Sequence, residues 1–254
     1  MASSFLDRLR GKRAVRFWRN LARDAAKLPL SALRVQRGAA HMLRSHLDTF
    51  IYVAENRLAL PLIGSQSFPR PRNSDWAWRP EMWRGPLARV SQAAALSKTR
   101  LGNEITLFHD CQISELTLRQ VRNTRERDLA PYGLRMDVFQ FDGSFLSLAI
   151  DCPPEAVKDL RKNSLIRMNA IVEHEKPLEI FARLNVQHGP NSETVLRELP
   201  LGAEDIWVEF DLHYTELNEK RVERMWVDII FEGPEMNQIT LRDITFSRAP
   251  RAEL

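Results

Sequence analysis

The sequence predicts a mainly β protein, an antiparallel β-sandwich preceded by a basic α-helical extension. Three observations carry that prediction. From about residue 104 to the end, ten short runs alternate apolar and polar residues, the period of a strand with one buried face. Turn pairs separate them, among them Asp142-Gly143, Lys176-Pro177, Gly189-Pro190 and Gly233-Pro234. Charge is divided unevenly: residues 1–72 hold fourteen Lys/Arg against four Asp/Glu, net +10, so an overall +4 leaves residues 73–254 at net −6.

A chain of 254 residues has room for one sandwich of about 150 residues and an appendage. The pattern divides it into a basic helical region (1–62), a Pro/Trp/Arg-rich connector (63–103) and the sandwich (104–254). Cys111 and Cys152 are the only cysteines, which argues against a disulfide framework or a cysteine metal site and suits a reducing, cytoplasmic setting. The longest early apolar run, 28–35, is flanked or broken by Lys27 and Arg34, so neither a secretory signal nor a spanning helix is expected.

At helical spacing, 12–28 is two-sided. Ala14, Phe17, Trp18, Leu21, Ala25 and Leu28 share one side, and Lys12, Arg16, Arg19, Arg23 and Lys27 lie opposite, with Gly11 read as a break before them. A basic helix with Phe and Trp on its apolar face has the composition of one lying in a membrane interface. Arg16, Phe17, Trp18, Arg19 and Arg23 are therefore the candidate contacts for an anionic membrane surface or a protein partner, which would place the protein at the inner membrane. The ordinary alternative is packing on the next predicted helix, 31–59, whose stripe includes Leu33, Ala40, Leu43, Leu47, Phe50, Ile51, Ala54 and Leu58.

The connector, 64–86, is rich in proline and sets Trp76, Trp78 and Trp83 among Arg70, Arg72, Arg79 and Arg84. Arginine beside aromatics suits single-stranded nucleic acid or a sugar ring, but indoles are costly to expose, so the segment is expected to strap itself over the sandwich. The acidic sandwich also speaks against a nucleic-acid partner. A short helix is expected over 90–101.

Strands are predicted near 104–109, 116–119, 134–141, 145–151, 165–173, 178–188, 194–199, 206–214, 225–231 and 239–247, with one helical insertion at 154–162. In 178–188 the apolar set Ile180, Ala182, Leu184 and Val186 alternates with Glu179, Arg183, Asn185 and Gln187. Taking every apolar side as core leaves a wet side of Arg167, Asn169, Arg183, Asn185, Gln187, Trp207, Glu209, Asp211, His213, Trp226 and Asp228. Sugars need flat rings for their C–H faces and amide, carboxylate or guanidinium groups for paired hydroxyls, and this set has both. Cross-strand ion pairing of Arg167 and Arg183 with Glu209 and Asp211 is the plainer alternative.

With its closing run ITLRDITFSRAP, 239–250, the strand order over about 104–254 resembles the jelly-roll domains of the galactose-binding and carbohydrate-binding-module kind. The whole chain is also similar to a bacterial family of unknown function. The first resemblance implies a jelly-roll sandwich that holds a glycan on one sheet face or on its end loops. The candidate ligand residues are Arg167, Asn169, Arg183, Asn185, Gln187, Trp207, Asp211, Trp226 and Asp228. Glu209-x-Asp211-x-His213 matches the Glu-x-Asp-x-Glu strand of jelly-roll glycosidases only in part, since His213 stands where the acid/base Glu belongs. The expected function is thus non-catalytic glycan binding, with no metal or cofactor and with the basic helices as tether. The alternative is a protein-interaction scaffold of a membrane-associated complex with no sugar ligand.

Overall fold

The computed structural model describes residues 5–63, 68–88, 90–125, 128–203 and 206–251, in two compact units, 1–51 and 52–254. The start of the connector, 64–67, and the Leu58 side chain of the predicted second stripe lie outside the described residues.

In the first unit α1 (Phe5–Asp24) runs without interruption through Gly11, where a break was expected. An interior glycine costs a helix only about 1 kcal/mol, too little to stop one this long. A single 3-10 turn, Ala25–Lys27, leads to α2 (Leu30–Ile63), which continues past its expected end near 59. The α2 stripe that packing between the two helices would cover is open at Leu43, Leu47, Phe50 and Ile51, with Phe50 69% exposed. No helix among the described residues is long and apolar enough to cross a membrane.

The second unit is an antiparallel sandwich, and all ten predicted strands are present. Three short strands come first, β1 (Trp76–Trp78), β2 (Ser91–Gln92) and β3 (Arg100–Leu101), with a one-turn helix α3 (Glu81–Arg84) after β1. The ten follow as β4 (Ile105–His109), β5 (Leu116–Arg122), β6 (Tyr132–Val138), β7 (Leu146–Asp151), β8 (Ser164–His174), β9 (Glu179–His188), β10 (Asn191–Glu198), β11 (Ile206–Asp211), β12 (Val222–Glu232) and β13 (Asn237–Pro250). One sheet has the order β11-β8-β13-β6-β5-β2, with β1 also on β13, and the other has the order β10-β9-β12-β7-β4-β3. The chain passes back and forth between the two sheets, as in a jelly roll. Ile166, Met168, Phe210, Leu241 and Phe246 from the first sheet meet Leu107, Leu148, Leu184, Val227 and Phe231 from the second in one buried core. On β9 the apolar set alternates inward as its period requires, and Gly189, at φ +60°, makes the tight turn into β10.

The connector is part of the sandwich. Trp83 is fully buried and donates Nε1–H to the Leu241 carbonyl at 2.9 Å, and Trp78 stacks on Phe246 at 5.6 Å between ring centroids. β1 pairs with β13 from Trp76↔Arg248 to Trp78↔Phe246. Two expected helices are corrected. Residues 90–101 hold β2 and β3, because their backbone groups find partners on the sheet-edge strands β5 and β4. The 154–162 insertion forms only a 3-10 turn, Pro154–Ala156, and the buried Arg248 donates to the carbonyls of Ala156 (3.1 Å) and Lys158 (2.6 Å) in this segment.

Candidate functional site

The sandwich has two outer faces, and the predicted ligand residues divide between them. Arg167, Asn169, Trp207 and Asp211 lie on the β11-β8-β13 sheet, while Arg183, Asn185, Gln187, Trp226 and Asp228 lie on the β9-β12 sheet. A single shared wet face is therefore corrected. The chain changes sheet between β8 and β9, and alternation along a strand reports a buried side without reporting which sheet buries it.

On the first sheet the ladders set Trp207, Asn169 and Thr245 side by side across three strands, and Glu209, Arg167 and Ser247 in the next row. A β-bulge between Leu241 and Asp243 on β13 turns the strand at this point. Above these rows lies a cavity of about 700 Å³, within the usual range of small-molecule sites. Its walls come from the connector (Phe68, Pro69, Arg70, Pro71), from Arg125, Asp128 and Leu129, and from the strands carrying Arg167, Asn169, Trp207 and Thr245.

Trp207 is 41% exposed, and the Arg167 guanidinium lies 4.1 Å from its ring centroid. Glu209 holds that guanidinium at 2.8 Å. Among the lining residues, Arg242 pairs with Asp128 (3.2 Å) and with Glu173 (2.8 Å), and Arg125 also pairs with Glu173. Asp243 accepts two hydrogen bonds from Arg79; burial raises its carboxyl from the ordinary value, and the Arg79 bonds limit that rise. The cavity thus presents one open aromatic ring, an amide, a hydroxyl and guanidinium donors fixed by acidic partners.

The other face is arranged differently. Arg183 donates from Nε (3.1 Å) and Nη2 (2.9 Å) to Asp228 Oδ2, and Asn185 Nδ2 donates to the same oxygen at 2.9 Å. Asn185 and Asp228, expected wet, are buried at 4% and 7% exposure. Their polar capacity is largely used within the face, and Arg224 lies 5.0 Å above the Trp226 ring.

The model of a family of unknown function, DUF6478, matches residues 1–254. The chain belongs to that family. No protein with a curated description matches it. Among solved structures, this DUF6478 member is similar to the C-terminal family 22 carbohydrate-binding module of Clostridium thermocellum Xyn10B, at 8% identity and a TM-score of 0.39, over 74% of this chain and 100% of that one. It is similar to the family 11 carbohydrate-binding module from Clostridium thermocellum, at 8% identity and a TM-score of 0.36, over 62% of this chain and 96% of that one. The enzymatically active domain of bacteriophage CBA120 tailspike protein 4 matches at 8% identity and a TM-score of 0.39, over 56% of this chain and 19% of that one, so the match spans about a fifth of the tailspike chain.

The partial glycosidase strand is accounted for residue by residue. Glu209 is held by Arg167, Asp211 by Arg251 at 3.2 Å, and His213 lies beyond the end of β11 with its ring edge-on to Tyr214. Asp211 shares the outer face of β11 but does not line the cavity. The buried His109 ring donates from Nε2 to the Ala95 carbonyl (2.9 Å) and accepts the Cys111 N–H at Nδ1, while the exposed Asp110 binds Ser144. Burial pushes both the Cys111 and the Cys152 thiols up. The cavity residues that the sequence did not single out include Phe68, Arg125, Arg242 and Thr245. The expectation that the indole-rich connector straps itself over the sandwich pointed towards this wall without naming its residues.

Proposed function

We propose that this protein binds a glycan, without catalysis, in the cavity over the β11-β8-β13 sheet. The observation that carries the reading is the row Trp207-Asn169-Thr245 under a cavity of about 700 Å³. The exposed indole offers a flat apolar surface for the C–H face of a pyranose ring. Asn169 and Thr245 offer donors and acceptors for hydroxyls, and the Arg167 guanidinium, held by Glu209 over the indole, lines the same cavity. A cavity of this size admits a saccharide of one or a few residues and would bury most of its surface.

The opposite face is the weaker candidate, because Arg183, Asn185 and Asp228 already satisfy one another and a sugar would have to displace those bonds. Glycan-array screening of the full chain, followed by calorimetry on any hit, tests the reading with two substitutions. Binding lost in Trp207→Ala and retained in Trp226→Ala supports it. No saccharide bound by the wild type, or equal loss in both variants, overturns it.

A further inference from the structure

We infer that α1 is a docking surface for an anionic lipid bilayer and lies in the plane of the headgroups. Neither the cavity nor the sandwich is needed for this, so it stands apart from the glycan reading. Successive residues of α1 are about 100° apart around the axis. On that spacing Lys12, Arg13, Arg16, Arg19 and Arg23 occupy one half of the circumference, and Ala14, Val15, Phe17, Trp18, Leu21 and Ala22 the other.

The structure leaves much of both halves open. All five basic residues are exposed, and on the apolar half Val15 is 58% and Phe17 53% exposed. Phe17 and Trp18 meet edge to face, with centroids 5.4 Å apart, forming one aromatic wedge. Asp24, at the end of this stretch, pairs with the neighbouring Arg23 at 3.3 Å.

A bilayer surface matches both halves at once. Anionic headgroups attract the basic half, while the acyl boundary receives the Phe17–Trp18 wedge. A nucleic acid would engage only the basic half and leave the wedge in water. An aqueous protein partner would have to supply a groove for the wedge and an acidic rim on both flanks. The charge division of the chain adds to this, since residues 1–72 carry net +10 and the remainder net −6, so an anionic surface attracts this end and repels the other.

Co-sedimentation of the full chain with phosphatidylcholine vesicles, with and without phosphatidylglycerol, tests the assignment. Binding is expected only with phosphatidylglycerol, and it should weaken as salt is raised. Replacing Arg16, Arg19 and Arg23 together by Gln should lower the partition coefficient roughly a hundredfold, and Phe17→Ser with Trp18→Ser should lower it about tenfold or more. Circular dichroism of each variant checks that helix content is kept, and Arg→Lys replacement at the same three positions should restore binding if a variant loses helix. Equal binding to both vesicle types, no binding to either, or a Phe17/Trp18 variant that binds as the wild type overturns the assignment. The last outcome would mark α1 as a general polyanion contact, such as one for RNA.

Discussion

Arg79 and Asp243 form a two-pronged ion pair inside the protein, Nε to Oδ1 at 2.9 Å and Nη2 to Oδ2 at 2.7 Å, with the Arg79 side chain 1% exposed. The pair fastens the connector to the bulged middle of β13 and sets the height of the cavity wall, because the Arg79 guanidinium also lies 5.0 Å from the Phe68 ring centroid. Removing one member leaves the other buried and uncompensated. Arg79→Ala should therefore lose about 3–5 kcal/mol of stability, read as a lower midpoint in urea. Loss of less than about 1 kcal/mol would show that the connector is not fastened here.

The Asp228 cluster on the opposite face makes a separate prediction. Asp228→Ala removes the shared acceptor of Arg183 and the buried Asn185, and should cost about 1–3 kcal/mol. Glycan binding in the cavity should be unchanged, because the altered residue lies on the other sheet. Calorimetric affinity measured beside a urea titration separates the two effects.

Asp110 is expected to titrate below the ordinary carboxylate value of 3.8, chiefly because the Ser144 hydroxyl donates to it at 2.6 Å. A carboxyl whose folded value is depressed adds stability above its unfolded value, and that stability is lost as pH falls through the folded value. Ser144→Ala should move the Asp110 titration upward in an NMR pH series and bring the acid limb of unfolding to higher pH. Gly143→Ala acts on the same turn by crowding: a Cβ there would sit 2.5 Å from Asp110 Oδ1 and 3.0 Å from the Cys111 nitrogen. About 1–3 kcal/mol of destabilisation is expected from the displaced loop.

The thiols should be slow to alkylate. Desolvation pushes Cys152 and Cys111 above the ordinary cysteine value of 9.0, so at mildly alkaline pH the folded protein holds less thiolate than the unfolded chain. Iodoacetamide labelling followed by mass spectrometry should show both sites protected in buffer and labelled rapidly in denaturant, with Cys152 the more protected.

Much of the fold is legible along the chain, because period two is a local property. Ile180 to Val186 alternate in the sequence and alternate inward in the sandwich, and Trp83 is too large and apolar to leave in water. The site is only half legible. Arg167, Asn169 and Trp207 were within reach of pattern reading because each sits on the polar side of a strand. Their separation from Arg183 and Trp226 was not, since it depends on which sheet each strand joins.

The sequence by itself determined the strands, their buried sides, the amphipathic helix and the uneven charge, all of which follow from residue spacing and composition. Tertiary structure alone decided that β8 and β9 belong to different sheets, that β13 bulges at Arg242, and that the connector folds down to wall a cavity over Trp207. The physical reason is range. Helix and strand periodicity is written between neighbours a few residues apart, whereas the Arg79–Asp243 pair joins residues 164 apart in sequence, and their contact exists only once the chain has closed on itself.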